Sequence, residues 1–162
     1  MEKLHDTCSG FLYMILISHR GNTNGPDKQK ENTLDQINKT LSLGFDVEID
    51  IWCKDNSLFL GHDEAEQAVE LGWIKENCKN LWVHCKNLEA IVELNKEESI
   101  NYFWHQEDDF TLTSKNFIWT YPNKSVTTKS VIVCKDERST LKYFKKNITG
   151  ICSDYLEILN KT

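Results

Sequence analysis

The segment Asp46–Trp52 reads DVEIDIW, in which acidic and apolar residues alternate. Because successive side chains along a β-strand point to opposite faces, one face is apolar and the other acidic. The apolar residues are Val47, Ile49 and Ile51, and the acidic residues are Asp46, Glu48 and Asp50. A half-exposed strand with its acids in water is one interpretation. In a parallel barrel, however, the apolar face packs under helices and the acids point inward, where Glu48 and Asp50 form a pair suited to a hard divalent cation.

A histidine follows the first predicted strand, Met14–Ser18. The next residues are Arg20, whose guanidinium favours bidentate contact with phosphate, and Gly21, which permits a sharp turn. A second histidine, His62, closes the hairpin-like segment KDNSLFLG that follows the acidic strand. If His19 and His62 lie near one barrel mouth, they can act as a general base and a general acid.

Strand-like and helix-like stretches alternate along the chain, which indicates an α/β fold with a parallel sheet. Further strands are predicted at Val47–Trp52 with a short extension at Leu58–Leu60, and at Leu81–Cys85, Asn101–Trp104, Thr111–Thr113, Phe117–Thr120, Ser130–Cys134 and Gly150–Ser153. Helices are predicted at Thr33–Leu43, Ala65–Asn77, Leu88–Leu94 and Ser139–Lys146, with Asn32 as the N-cap of the first. The count favours a trimmed (β/α)8 TIM-type barrel in one domain, residues 1–162, with helices shortened or missing in the second half. A doubly wound sheet is the competing architecture.

The composition is typical of a soluble globular protein, with 40% hydrophobic and 27% charged residues among 162. The net charge of -6 argues against broad binding to nucleic acid or to an anionic membrane surface. The apolar run Phe11–Ile17 is too short to span a membrane, and a signal peptide there would consume His19. The cysteines show no CxxC pair and no zinc spacing, so we expect free thiols and a cytoplasmic location.

Together these motifs resemble those of the glycerophosphodiester phosphodiesterases, within the wider group of phosphatidylinositol-phospholipase-C-like barrels. The family has His-Arg-Gly, Glu-Asn-Thr, Glu-x-Asp and His-Asp motifs, which match HRG at His19–Gly21, ENT at Glu31–Thr33, EID at Glu48–Asp50 and HD at His62–Asp63. More weakly, HCK at His84–Lys86 falls where the family has Glu-x-Lys. The segment GICSDY at Gly150–Tyr155 resembles the family's last strand and the Asp that follows it.

The resemblance implies a metal-dependent hydrolase of a small glycerophosphodiester-like molecule, with a function in lipid metabolism. It implies that His19 and His62 are the acid–base pair, and that Glu48 and Asp50 bind Mg²⁺ or Ca²⁺. The implied phosphate-binding residues are Arg20 and Lys86, and the implied positioning residues are Glu31 and Asn32.

One residue departs from the family pattern, because His84 lies where a third metal carboxylate is expected. Imidazole is a poor ligand for Mg²⁺ or Ca²⁺ but suits Mn²⁺, Zn²⁺ or Fe²⁺. We therefore expect weaker calcium binding, a preference for Mn²⁺ or another transition metal, or a water in the third position. A hydrogen bond from His84 to the phosphate is an equal alternative.

Two other functions are compatible with the same residues. One is a phospholipase D-type phosphodiesterase of lipid head groups on the same barrel, and the other is a barrel that binds phosphoryl ligands without turnover. Missing helices would expose apolar surface, so a homodimer is a further possibility. Trp104, Trp119 and Tyr121 either line the mouth or lie in the core, the latter being commoner for strand aromatics.

Overall fold

The computed structural model describes residues 14–161. The predicted apolar run Phe11–Ile17 therefore lies partly outside the described residues, as does Cys8. The strands are β1 (Ile15–His19), β2 (Asp46–Lys54), β3 (Ser57–Leu60), β4 (Gln67–Val69), β5 (Leu81–Cys85), β6 (Asn101–Phe103), β7 (Phe110–Leu112), β8 (Ile118–Thr120), β9 (Ser130–Cys134) and β10 (Gly150–Ser153). The helices are α1 (Leu34–Ser42), α2 (Leu71–Glu76), α3 (Leu88–Leu94) and α4 (Glu137–Phe144), followed by a 3-10 helix at Leu156–Lys161.

The central sheet is mixed, so the prediction of an all-parallel sheet is wrong. Parallel pairing runs in the order β6-β5-β2-β1-β10-β9-β8. Three short strands are antiparallel to their neighbours: β3 pairs with the second half of β2, β4 pairs with β3, and β7 pairs with β8. Connections of only two to six residues join these antiparallel strands, whereas a parallel partner needs a long crossover connection.

The two ends of the parallel run, β6 and β8, approach each other. The rings of Phe103 and Trp119 stack with their centroids 4.5 Å apart. The backbone N–H of Ser114, just after β7, donates to the carbonyl of Tyr102 at 2.8 Å. Strand pairing within residues 14–161 includes no ladder between β6 and β8, so the predicted (β/α)8 barrel is not confirmed as a closed barrel.

The two faces of β2 contact different parts of the protein, as the alternating sequence predicts. Val47, Ile49 and Ile51 are fully buried in a core that includes residues of α1 and α3. A second buried cluster lies on the inner side of the strands and contains Ile17, Trp82, Phe103, Trp119, Val131 and Cys152. The acidic residues of β2 share the inner side with this cluster, because Glu48 lies opposite Trp82 in the register.

Several local predictions are wrong. The predicted helix Ala65–Asn77 begins as strand β4, because this segment pairs with β3 and buries Val69, and only its second half is helical. The N-cap of α1 is Thr33 and not Asn32, since the Thr33 side chain accepts from the Gln36 N–H. The loss of helices in the second half is confirmed, because residues 104–129 contain none. No helix within residues 14–161 has the length and apolar character to cross a bilayer.

We predict that Gly61→Ala destabilises the protein. Gly61 has φ +148°, and an added Cβ would lie 1.9 Å from the Glu64 carbonyl oxygen, so the backbone next to His62 must shift. We expect the free energy of unfolding to fall by about 1–3 kcal/mol, measured by urea denaturation.

Gly72 in α2 is the matched control for that substitution. An added Cβ there meets no atom within 4 Å. Gly72→Ala should therefore raise the free energy of unfolding by roughly 0.5–1 kcal/mol, because it lowers the backbone entropy of the unfolded chain. Equal stability of the two variants would contradict the assigned geometry of Gly61.

Candidate active site

The polar residues of the site follow a period-two pattern along the parallel strands. On four neighbouring strands an inward-facing residue is followed two positions later by a polar residue: Ile17 by His19, Glu48 by Asp50, Trp82 by His84, and Cys152 by Asp154. The carboxyl ends of parallel strands meet at one edge of a sheet, so these side chains converge there. The register places His19 opposite Glu48 and His84 opposite Asp50.

His19 is oriented by a carboxylate from the far end of the chain. Its Nδ1 lies 3.0 Å from Asp154 Oδ1, and Asn22 Nδ2 donates to the same oxygen at 2.9 Å. His19 Nε2 faces the other way, 3.9 Å from Glu48 Oε2. Burial lowers the pKa of His19, but the hydrogen bond with Asp154 and the charge of Glu48 act against it, and the resulting pKa is raised.

Arg20 joins two acids and a histidine through its guanidinium. Nη1 donates to Glu31 Oε1 at 3.1 Å, and Nε lies 3.0 Å from Asp50 Oδ2. Nη2 lies 3.2 Å from His62 Nε2. The Arg20 backbone has a left-handed φ of 56°, which its own N–H stabilises by donating to the Glu48 carbonyl at 2.9 Å. The turn after β1 therefore fixes both the backbone and the charged group of Arg20.

Asp50 has no exposed surface, and donors bind one of its two oxygens. Asn32 Nδ2 donates to Oδ2 at 2.8 Å, and His62 Nδ1 lies 3.1 Å from the same oxygen. Oδ1 lies 2.8 Å from His84 Nδ1 and 3.5 Å from Lys86 Nζ, but it has no hydrogen-bond partner among the described residues. Burial raises the pKa of Asp50, but the contacts with His62 and His84 outweigh it and hold the pKa well below its usual value.

Glu48 is also buried, with 3% exposure, but it has fewer polar contacts than Asp50. Its Oε2 is buried and has no hydrogen-bond partner among the described residues. Its Oε1 lies 3.8 Å from His84 Nδ1. Burial and the nearby charge of Asp50 raise the pKa of Glu48. A buried acceptor without a donor is destabilising, and a cation bound here would compensate the Glu48 charge.

His84 presents one ring nitrogen to these acids because the other is occupied. Its Nε2 lies 2.8 Å from the carbonyl oxygen of His105, and a carbonyl accepts only, so Nε2 is the donor. In the neutral ring, Nδ1 then carries a lone pair that can bind a cation, and only the protonated ring can donate from Nδ1 to Asp50. Donor atoms of Glu48, Asp50 and His84 all lie within 4.8 Å of one another, so these three residues can hold a metal ion.

His62 lies on the Asp50 side of the acid pair, and His19 on the Glu48 side. Lys86 Nζ lies 3.4 Å from His62 Nδ1. The side chain of His62 is 37% exposed, so its ring is accessible from solvent. The site therefore contains two accessible imidazoles, two buried carboxylates and two cations at one edge of the sheet.

The structure brings all nine predicted site residues together: Arg20, His19, Glu31, Asn32, Glu48, Asp50, His62, His84 and Lys86. Glu31 and Asn32 do not bind His19 itself. Glu31 binds Arg20, and Asn32 binds Asp50. Asp154 and Asn22 were given no role in the sequence analysis, although both contact the catalytic candidates. The only sequence signal for Asp154 is its place just after β10, in the segment GICSDY.

Comparison with solved structures shows which fold this chain shares. No protein-family model matches it. No curated protein matches its sequence. A glycerophosphodiester phosphodiesterase from Agrobacterium tumefaciens str. C58 has a similar structure, with a TM-score of 0.59 at 11% identity, covering 92% of this chain and all of that one. A glycerophosphodiester phosphodiesterase from Parabacteroides distasonis has a TM-score of 0.59 at 11% identity, and the match covers 91% of this chain and 95% of that one. The glycerophosphodiester phosphodiesterase from Thermotoga maritima has a TM-score of 0.54 at 14% identity, and the match covers 92% of this chain and 98% of that one. The family resemblance seen in the sequence is thus confirmed at the level of the fold.

We predict that in the metal-free protein the pKa of His19 lies above that of an ordinary histidine and the pKa of His105 lies below it. The pKa of His19 is raised by Asp154 and Glu48 in spite of burial, and the pKa of His105 is lowered, chiefly by burial. NMR titration of the imidazole resonances measures both pKa values. In Asp154→Asn the pKa of His19 should fall while that of His105 stays unchanged.

The same shift predicts a pH dependence of stability. Because folding raises the pKa of His19, its contribution to the free energy of unfolding is complete below about pH 6.5 and is lost as the pH rises through the folded-state value. Urea denaturation of the wild type and Asp154→Asn across this range measures the difference. A difference that grew with rising pH would contradict the assigned His19–Asp154 pair.

Proposed function

We propose that this protein is a metal-dependent phosphodiester hydrolase acting on a glycerophosphodiester-like substrate, with His19 and His62 as the acid–base pair. The main support is the convergence of two imidazoles on one buried acid pair, with His19 beside Glu48 and His62 beside Asp50. The shared fold with glycerophosphodiester phosphodiesterases is consistent with this assignment. A structural role alone does not require two histidines and two acids at the same sheet edge.

A divalent metal ion fits the residues present. Glu48 Oε2 is a buried acceptor without a partner within residues 14–161, and His84 Nδ1 faces the same region. Glu48, Asp50 and His84 would hold the ion. When bound, it would polarise a phosphoryl oxygen and stabilise the negative charge that develops in the transition state.

Arg20 and Lys86 are the residues that we assign to the substrate phosphate. A phosphodiester anion repels an incoming nucleophile, so fixed cations must offset its charge. Both residues are anchored near Asp50, at 3.0 Å from Arg20 Nε and 3.5 Å from Lys86 Nζ. Anchoring lowers the entropy cost of holding two long side chains against the substrate.

The two histidines would move protons at opposite ends of the reacting phosphate. Asp154 holds His19 through Nδ1, so Nε2 is the atom that accepts a proton from the attacking hydroxyl. His62 would return a proton to the leaving alkoxide oxygen as the P–O bond breaks. If a vicinal glycerol hydroxyl attacks, a cyclic phosphate forms, and a water then opens it with the two roles reversed.

We predict that the purified protein hydrolyses glycerophosphocholine or a chromogenic phosphodiester in a metal-dependent manner. EDTA should abolish turnover, and added Mn²⁺ should restore it. His19→Ala and His62→Ala should each lower kcat by ~10²–10⁴, the range expected for a general acid or base. Glu48→Gln should lower activity while the protein still folds, as judged by circular dichroism.

Glu98→Gln is the matched control for Glu48→Gln. Glu98 is exposed just before β6, at the opposite end of that strand from the site, and this change should leave kcat unaltered. Turnover unchanged in His19→Ala and Glu48→Gln would remove the proposed mechanism. Ligand binding without turnover across several metals would favour a non-catalytic phosphoryl-binding protein.

We also propose that His84 shifts the metal preference toward transition metals. The imidazole takes the place of a carboxylate, and its Nε2 hydrogen bond to the His105 carbonyl is a common way to orient a metal-binding histidine. Isothermal titration calorimetry should show tighter binding of Mn²⁺ than of Ca²⁺ in the wild type. His84→Asp should reduce or reverse the difference in affinity between Mn²⁺ and Ca²⁺. Tight Ca²⁺ binding by the wild type would contradict the proposal.

Three further expectations stay predictions: the single domain over residues 1–162, the cytoplasmic location and the homodimer. Exposed Phe110 and Leu112 on β7 support the last of these, since they present apolar surface where the second half lacks helices. Sedimentation velocity would measure the oligomeric state.

A further inference from the structure

The carboxyl edge of the sheet carries further side chains, beside the site, that the proposed mechanism does not use. On β6, β8 and β9, inner-cluster residues Phe103, Trp119 and Val133 are each followed two positions later by His105, Tyr121 and Lys135. This is the same period-two step that places His19, His84 and Asp154 on their strands. His105, Tyr121 and Lys135, which we call the distal row, therefore continue the inner face at the carboxyl edge of the sheet.

The members of the distal row contact one another in order. The rings of His105 and Tyr121 stack with centroids 5.7 Å apart and planes at 17°. Lys135 Nζ lies 5.0 Å from the centroid of the Tyr121 ring and 3.3 Å from its hydroxyl oxygen. The His105 carbonyl accepts from His84 Nε2, so the row begins directly beside the metal-binding candidates.

The charge of Lys135 is not neutralised by a neighbouring acid. Within residues 14–161, no carboxylate lies within 4.0 Å of its Nζ. Asp109 pairs with Lys124 at 2.7 Å, and the Asp136 carboxylate accepts from the Ser139 N–H at the start of α4. Asp108, the acid nearest His105 in sequence, is exposed. Lys135 is thus a cation that packs against the Tyr121 ring and has no acidic partner among the described residues.

We propose that the distal row binds the alcohol part of the substrate and selects an alcohol that carries an anionic group, such as a phosphate monoester. A quaternary ammonium group is recognised by free aromatic faces, but here the positive charge of Lys135 already lies against Tyr121. A second cation at this position would be repelled, whereas a phosphate would gain a charge-assisted hydrogen bond from Lys135. The inference rests on the proposed function, since it assumes that the substrate phosphodiester lies between Arg20 and Lys86.

Binding measurements test the selection without requiring turnover. The probes are glycerophosphoinositol 4-phosphate, glycerophosphoinositol and glycerophosphocholine, titrated by calorimetry into His19→Ala protein with Mn²⁺ present. We expect the phosphorylated inositol ligand to bind about tenfold more tightly than the unphosphorylated one, which corresponds to one charged hydrogen bond. Glycerophosphocholine should bind most weakly.

Substitutions at Lys135 assign the selectivity to the distal row. Lys135→Gln in the same background should remove the tenfold preference, and Lys135→Arg should retain most of it. Lys129→Gln is the matched control, because Lys129 is exposed just before β9, at the opposite end of that strand. It should leave all three affinities unchanged.

Equal affinities for the three ligands, a preference that survives Lys135→Gln, or no measurable binding would each overturn the inference. Hydrolysis by the wild type is measured separately with the same three compounds. Selective binding without hydrolysis would remove the proposed enzymatic function and leave the distal row intact. Hydrolysis without Lys135-dependent selection would support the proposed enzymatic function and overturn the inference about the distal row.

Discussion

The burial of two carboxylates next to each other is the constraint on which the rest of the site depends. Glu48 and Asp50 are 3% and 0% exposed, and they point to the same side of one strand. A buried charge that loses its partner costs ~3–5 kcal/mol, so the surrounding residues must compensate this pair. The compensation is incomplete: Asp50 Oδ2 accepts from Asn32 and lies 3.0 Å from Arg20 Nε, whereas Asp50 Oδ1 and Glu48 Oε2 have no hydrogen-bond partner among the described residues. Asp50 thus organises the site through Oδ2, and the unpartnered oxygens of both acids remain available to a bound cation.

The position of β2 in the sheet explains why the compensating groups come from distant parts of the chain. This strand pairs in parallel with both β1 and β5, so His19 and His84 lie on either side of the acid pair. Its second half pairs with β3, which returns the chain to Gly61 and His62. The pairing of one strand therefore places His19 and His84 on its two sides and returns the chain toward His62. Side-chain contacts then set the orientation of each ring.

Local patterns in the sequence were sufficient to predict the strands and the inner face, but not the partners. The bounds of β5, β9, β10 and α3 are those predicted, because each is a short apolar run or a capped apolar stripe. The hairpin-like segment after β2 indicated the β2–β3 pair, but β4 and the antiparallel pairing of β7 with β8 were not predictable, since such pairing is decided by register and burial beyond the local window. Asp154 lies 135 residues from His19, and no periodicity connects them.

Asn32 shows how a tertiary contact overrides a local preference. Asn32 is a residue type that suits an N-cap, and on that ground it is the N-cap predicted from the sequence. In the structure Asn32 adopts a left-handed φ of 56° and turns its amide to Asp50, donating to Oδ2 and accepting from the Asp50 N–H at 3.0 Å. Thr33 is left to cap the helix. Satisfying a buried carboxylate gains more than a cap, which contributes only ~1 kcal/mol.

The substitution of His84 for a carboxylate changes the charge of the whole site. Glu31, Glu48, Asp50 and Asp154 contribute four negative charges, and Arg20 and Lys86 contribute two positive charges, so these groups sum to -2. A further carboxylate at position 84 would make the sum more negative and strengthen the binding of any divalent cation, whereas a neutral imidazole leaves attraction to depend on ligand chemistry. A less negative site also repels a substrate anion less before the metal binds. Together with Lys135, this favours phosphodiesters that carry a second negative charge, and the His105 carbonyl joins His84, which would select the metal, to the distal row, which would select the substrate.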